Sequence, residues 1–183
     1  FKTGAAGAVG ADALARDDAT EVAVIGSGAQ ARGQLRALAT VRDVETVWVY
    51  SPTKEHRESF AGEMAGRLDA SVAAVASAAA AVEDADVVVT ATTAAEPVFE
   101  GDLLEPGTHV TAIGQYDPEK RELDHETIRR SRYVPDLRAR AFQDAGSFLS
   151  ALEAGVVDED HVHAELGEVV AGVAPGREDD EEV

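Results

Sequence analysis

The stretch EVAVIGSGAQARGQL, residues 21–35, decides the fold. It opens on EVAVIG, a short β-branched run that ends in glycine, the pattern of a buried strand. It passes into AQARGQLRALATV (29–41), where Leu35, Leu38 and Val41 fall at helical spacing and Arg32 and Arg36 lie on another face. A strand that feeds straight into a helix through small residues is half of a βαβ unit. Two glycines in a surface loop are the competing reading, and the flanking sequence decides between them.

Working outward, ETVWVYS (45–51) reads as a second strand closed by Pro52, and TKEHRESFAGEMAGRLD (53–69) as a helix with Phe60, Met64 and Leu68 on one stripe. SVAAVAS (71–77) is a weak third strand, AAAAVEDA (78–85) a short helix, and DVVVTATT (86–93) the strongest strand signal. THVTAIG (108–114) is a fifth strand, followed by a helix around ELDHETIRRS. RYVPD (132–136) reads as a last strand, kept short or at an edge by Pro135. Helices are expected near 138–154 and 158–171.

Strands alternating with helices imply parallel βαβ units. Right-handed crossovers then give an α/β, doubly wound parallel sheet, a Rossmann fold of strand order 3-2-1-4-5-6. The expected organisation is an entry helix over 1–20, the α/β domain over 21–173 and an acidic tail over 174–183. In such sheets ligands bind at the carboxyl ends of the strands where the order reverses, beside the first and fourth strands.

That context settles the opening stretch. Gly26, Gly28 and Ala31 form G-x-G-x-x-A between a strand and a helix. The first glycine permits the tight turn, the second lets a pyrophosphate approach the backbone, and the small third residue lets helix and strand pack closely. Free N–H groups at the helix start, around Ser27, Ala29 and Gln30, face the phosphates. The expected ligand is a nicotinamide dinucleotide. The second strand ends in Tyr50, Ser51 and Pro52, without the Asp or Glu that bonds the ribose 2′-hydroxyl in NAD-selective sites. Ser51 and Thr53 offer hydroxyls to a 2′-phosphate, and Lys54 and Arg57 offer charge, although both also read as solvated helix residues. The sequence therefore favours NADP(H), with NAD(H) as the alternative.

Composition bounds the rest. The chain has 183 residues, 45% of them hydrophobic, and no long uncharged apolar run to span a membrane. It has no Cys, so disulfides and thiolate metal sites are excluded, and a reducing cytoplasm is the expected location. Asp and Glu number 35 against 16 Lys and Arg, a net charge of −19 that repels nucleic acid and anionic lipid. Only Lys2, Lys54 and Lys120 are lysines. An ordinary acidic domain is one reading. A high-salt cytoplasm is the preferred one, because the Debye length falls to about 3 Å at 1 M salt and self-repulsion is screened. His161 and His163 lie two apart, which suits a solvated helix face better than a metal site.

The segments AVIGSGAQARGQLRAL, VWVYSPT, DVVVTATTAAEPVFEGDLLEPGTHVTAIG, PEKRELD and HAELGEVVAGVAPGR together resemble the ornithine cyclodeaminase/mu-crystallin family, which includes archaeal alanine dehydrogenases and ketimine reductases. The resemblance covers nearly the whole chain in the family's order. It implies an NAD(P)-dependent oxidoreductase or deaminase acting on an amino or imino acid, and a homodimer when the protein is full length. It also implies that this chain is the Rossmann portion alone, with the substrate and dimerisation domain missing and the isolated piece inactive. The missing initiator Met fits that expectation. A non-catalytic dinucleotide-binding role, as in the mu-crystallin branch, is the alternative.

By the same resemblance Lys2 takes the place of an Arg that holds the substrate carboxylate, and it also reads as an ordinary terminal charge. The loop IGQYDPEKREL carries Tyr116 where several members have an Asp two residues before the proline. Asp117, one residue later, reads either as a displaced acid/base or as a turn residue before Pro118. Thr90, Ala91 and Thr92 are expected to line the adenosine and ribose path, and Ile113 and Gly114 to approach the nicotinamide face.

Overall fold

A computed structural model describes residues 2–179 and 181–183. Phe1 of the expected entry helix and Asp180 of the expected tail lie outside the described residues. Among the described residues five strands form one parallel sheet: β1 (Glu21–Ile25), β2 (Thr46–Tyr50), β3 (Ser71–Ala74), β4 (Val87–Thr90) and β5 (His109–Ala112), in the order β3-β2-β1-β4-β5. The helices are α1 (Lys2–Leu14), α2 (Ala29–Leu38), α3 (Lys54–Ala65), α4 (Ala79–Val82), α5 (His125–Arg130), α6 (Arg138–Asp144), α7 (Gly146–Glu153) and α8 (Leu166–Val170).

Strand alternation divides the core in two. Val22 and Val24 of β1 face one way, with Leu35 and Leu38 of α2 and Phe60 and Met64 of α3 packed over them. Ala23 and Ile25 face the other way, under Ile128, Phe148 and Ala151. α1 joins the first layer by a close crossing on α2. A Cβ on Gly4 would lie 2.6 Å from the carbonyl oxygen of Gly33, and the Gln34 amide donates to the carbonyl of Thr3 at 2.9 Å.

The first five strands take the expected order, and the difference is at 132–136. Among the described residues this segment forms no ladder with β5 and makes an isolated parallel bridge, Tyr133 to Val162. Pro135 has no N–H to donate to a ladder, and its carbonyl accepts from Leu166 N at 2.8 Å. Tyr133 stacks on Phe148, with ring centroids 4.6 Å apart.

The last two helices are also shorter than their periodicity predicts. The stretch 138–154 breaks at Ala145 into α6 and α7. Gly146 there is pressed against the loop before α5, where a Cβ would lie 2.1 Å from the Lys120 carbonyl oxygen and 2.6 Å from that of Asp117. Within 158–171 only a 3₁₀ turn (Glu159–His161) and α8 are helical, the latter opened by a reciprocal Glu165–Glu168 capping box. His161 and His163 consequently do not share a solvated helix face. The His161 ring bonds the Ile128 carbonyl at 2.7 Å and the His163 ring that of Pro175 at 2.9 Å. The C-terminal segment is docked: Arg132 pairs with Glu178 at 2.8 Å and with Glu182, and Arg177 donates to the Leu14 carbonyl at 2.7 Å.

Candidate cofactor site

The carboxyl ends of β2, β1, β4 and β5 meet at the point where the strand order reverses. Gly26 follows β1 with φ +116, a conformation that glycine adopts without strain, and its N–H donates to the Tyr50 carbonyl at 2.8 Å. A Cβ at Gly26 would lie 2.5 Å from the carbonyl oxygen of Ala91, so the turn passes β4 with no room to spare. Gly28 differs. It caps α2 with extended backbone, and a Cβ there would meet nothing within 4 Å. The space above Gly28 is therefore open, and Gly28, Ala29 and Gln30 are exposed at the start of α2.

Side chains brace this turn from below. Arg32 donates to the carbonyls of Ser27 and of Gly28, the latter at 3.2 Å, and its Nε bonds Glu63 at 2.7 Å. That guanidinium holds the Glu63 carboxyl below the usual carboxylate range. Ser27 Oγ donates to Ser51 Oγ at 2.9 Å, tying the turn to the end of β2. Ser51 is buried against this contact, and Pro52, Thr53 and Lys54 are exposed. Lys54 sits 3.6 Å from Glu58, and Arg57 donates to the Ser51 carbonyl at 2.9 Å while its guanidinium lies 5.7 Å from the Tyr50 ring centroid.

The opposite wall is built around a residue the sequence did not single out. Glu122 is fully buried and accepts four hydrogen bonds: Thr92 N at 2.6 Å, Thr92 Oγ1 at 2.7 Å, Gly114 N at 2.6 Å and Thr90 Oγ1 at 2.8 Å. Thr90 is itself fully buried and its hydroxyl is spent on Glu122, so it does not line the ribose path as expected. Gly114 has no space for a side chain, since a Cβ would lie 2.3 Å from the Thr92 carbonyl oxygen and 2.5 Å from Glu122 Cδ. Above this, Lys120 Nζ donates to the Thr93 carbonyl at 3.0 Å, and Arg121 pairs with Glu96 at 3.0 Å.

Asp117 lies in the same loop, partly buried, and its Oδ1 accepts the N–H of Glu119 at 3.0 Å. Ile113 and Tyr116 line a groove of about 370 Å³ along the outer edge of β5, with Thr3 and Gly7 of α1 on its other side. Lys2, the first residue of α1, adjoins that groove in sequence. The structure thus gathers residues 26–30, 50–54, 90–92 and 113–114 at one end of the sheet. Sequence reasoning missed Arg32 as a brace of the turn, and Lys120 and Glu122 as ties between two loops. The only available signal was a charged run, KREL, ahead of α5.

The parallel sheet, its order and the glycine turn at the switch point define a Rossmann-type nucleotide-binding domain. The sequence profile of the ornithine cyclodeaminase/mu-crystallin family matches residues 1–183, and the chain belongs to that family. It is 34% identical over 184 residues to Δ1-pyrroline-2-carboxylate reductase of Bacillus cereus, covering 100% of this chain and 56% of that protein. The structure of Thermococcus litoralis Δ1-pyrroline-2-carboxylate reductase in complex with NADH and L-proline superposes with a TM-score of 0.97 at 41% identity, over 99% of this chain and 56% of the other. An archaeal alanine dehydrogenase dimer with bound NAD superposes with a TM-score of 0.92 at 36% identity, over 99% and 55%. The chain therefore spans about half the length of the relatives it matches.

Proposed function

We propose that this chain is the dinucleotide-binding part of an NAD(P)-dependent oxidoreductase that acts on an amino or imino acid. The observation that carries the reading is the open, side-chain-free backbone at Gly28, set at the switch point by a Gly26 that tolerates no side chain. Gly28, Ala29 and Gln30 would hold the pyrophosphate on the start of α2. The ends of β1 and β2 would take the adenosine half, and Thr92, Ile113 and Gly114 the nicotinamide half. Bound there, a nicotinamide dinucleotide supplies or accepts a hydride. Asp117 and Lys2 are the groups of this chain proposed to face the substrate, Asp117 to move a proton and Lys2 to meet a carboxylate.

The resemblance to a reductase bound to L-proline and to alanine dehydrogenase supports an α-amino or cyclic imino acid as substrate, and the dimeric relative supports a homodimer for the whole protein. Preference for NADP(H) is the finer reading, resting on the missing acid after β2 and on Lys54 and Arg57 beside it. A high-salt cytoplasm is the setting that the net charge of −19 favours. The position of Tyr116 favours a second reading, a dinucleotide-binding protein without turnover. The two are separated by assaying the whole protein for NAD(P)H consumption with Δ1-pyrroline-2-carboxylate or with pyruvate and ammonia, and for ammonia release from L-ornithine. Turnover of any one supports the enzyme. Tight cofactor binding with no turnover of all three supports the binding protein.

A further inference from the structure

Glu122 has a geometry that a purely space-filling role does not require. Each of its carboxylate oxygens accepts one backbone N–H and one hydroxyl: Oε1 from Thr92 N and Thr92 Oγ1, Oε2 from Gly114 N and Thr90 Oγ1. Every acceptor site is used. Burying a carboxylate costs several kcal/mol unless its lone pairs are satisfied, and here hydroxyls and backbone N–H groups satisfy them. The backbone of Glu122 is fixed from the other side, because Ser147 Oγ of α7 accepts the N–H groups of Glu122 at 3.2 Å and Leu123 at 3.1 Å. One side chain thus ties the segment after β4 to the segment after β5.

We propose that Glu122 is a positioning residue that locks the backbones of Thr92 and Gly114 against each other, and so fixes the surface that these segments present to the nicotinamide half of the cofactor alone. This rests on the reading of the carboxyl ends of β1, β4 and β5 as a dinucleotide site. The adenosine half depends on the turn after β1 and on the end of β2, where Glu122 makes no hydrogen bond. Glutamine cannot replace it. Both oxygens accept a backbone N–H, so either orientation of an amide sets its NH₂ against Thr92 N or Gly114 N, donor against donor.

The test is calorimetric titration of the chain with NADPH and with 2′-phospho-ADP-ribose, which differs from it by lacking the nicotinamide. Wild type binds both. Glu122→Gln weakens NADPH about tenfold or more and leaves 2′-phospho-ADP-ribose within about twofold, the scale expected from unsatisfied buried donors. Thr90→Val removes one donor that is too buried to touch a ligand, and it gives the same split at about threefold. If Glu122→Gln fails to fold, Thr90→Val decides. Parallel loss of both ligands, or no loss of either, overturns the proposal. If wild type binds neither ligand, the dinucleotide reading itself has failed, and the role of Glu122 falls with it.

Discussion

The turn after β1 and the loop after β5 lie on either side of the segment after β4, at one end of the sheet, and are built on opposite principles. The turn is shaped by what is absent: Gly26 and Gly28 carry no side chains, and the backbone itself forms the surface. The loop is shaped by a side chain that is present, the Glu122 carboxylate, with Gly114 kept bare to admit it. A backbone-shaped turn is written in a few consecutive residues. A side-chain staple depends on residues 90, 92, 114 and 122 meeting in space, which no local pattern records.

The largest effect separates the two glycines of the turn. Gly26→Val forces a β-branched residue to φ +116 and drives Cβ against the Ala91 carbonyl at 2.5 Å. It should cost more than about 4 kcal/mol and leave little folded protein, as read by chemical denaturation. A Gly26→Val protein of near wild-type stability would mean that the turn is not held against β4.

The far end of β5 sharpens the contrast through pH. His109 is buried at the amino end of the strand, and burial, with the charges of Arg177 and Arg42, pushes its imidazole down to about 4 from 6.5. A neutral buried His stabilises fully above pH 6.5, and that contribution is lost as the pH falls from 6.5 through 4, because only the unfolded chain takes the proton freely. The loss is about 3 kcal/mol. Unfolding free energies of wild type and His109→Gln should converge by that amount between pH 7 and pH 4. A constant difference would contradict the burial of a neutral ring.

Gly146→Ala attacks the loop after β5 from behind. Its methyl would meet the carbonyl oxygens of Lys120 at 2.1 Å and Asp117 at 2.6 Å, so either the loop or α7 must move. Overpacking of this kind costs about 2 kcal/mol, a fall of roughly 4–8 °C in Tm for a chain of this size. An unchanged Tm would show that the loop is loosely held.

The smallest effect concerns cofactor choice. Ser51 is only 6% exposed and bonds Ser27, so a carboxylate that meets the ribose belongs at exposed Thr53 instead. Thr53→Asp should shift the NADPH-to-NADH affinity ratio about tenfold toward NADH, or about 1.4 kcal/mol. A ratio unmoved by the substitution would place the 2′-position elsewhere.

Much of the fold was legible because its signals are local. β-branched runs marked β1, β2, β4 and β5, and strand–helix alternation gave the order β3-β2-β1-β4-β5. The departures come from contacts between distant segments. Residues 132–136 pair with Val162 rather than β5, and the periodic stretch 138–154 breaks where Gly146 meets residues 117–120. Glu122 sits within EKREL, where a charged residue reads as solvated until the fold buries it. Arg32 was visible as a polar helix position, but its bonds back to Ser27 and Gly28 require the turn to be folded.

The central claim is that the bare backbone at Gly28 receives a dinucleotide pyrophosphate. Gly28→Val tests it most directly, because extended backbone and open space let the side chain enter without strain, at a cost to stability of about 1 kcal/mol or less from the weaker helix cap. Calorimetric titration with NADPH should show saturable binding to the wild-type chain and none to a folded Gly28→Val. Unchanged affinity in the variant would contradict the account.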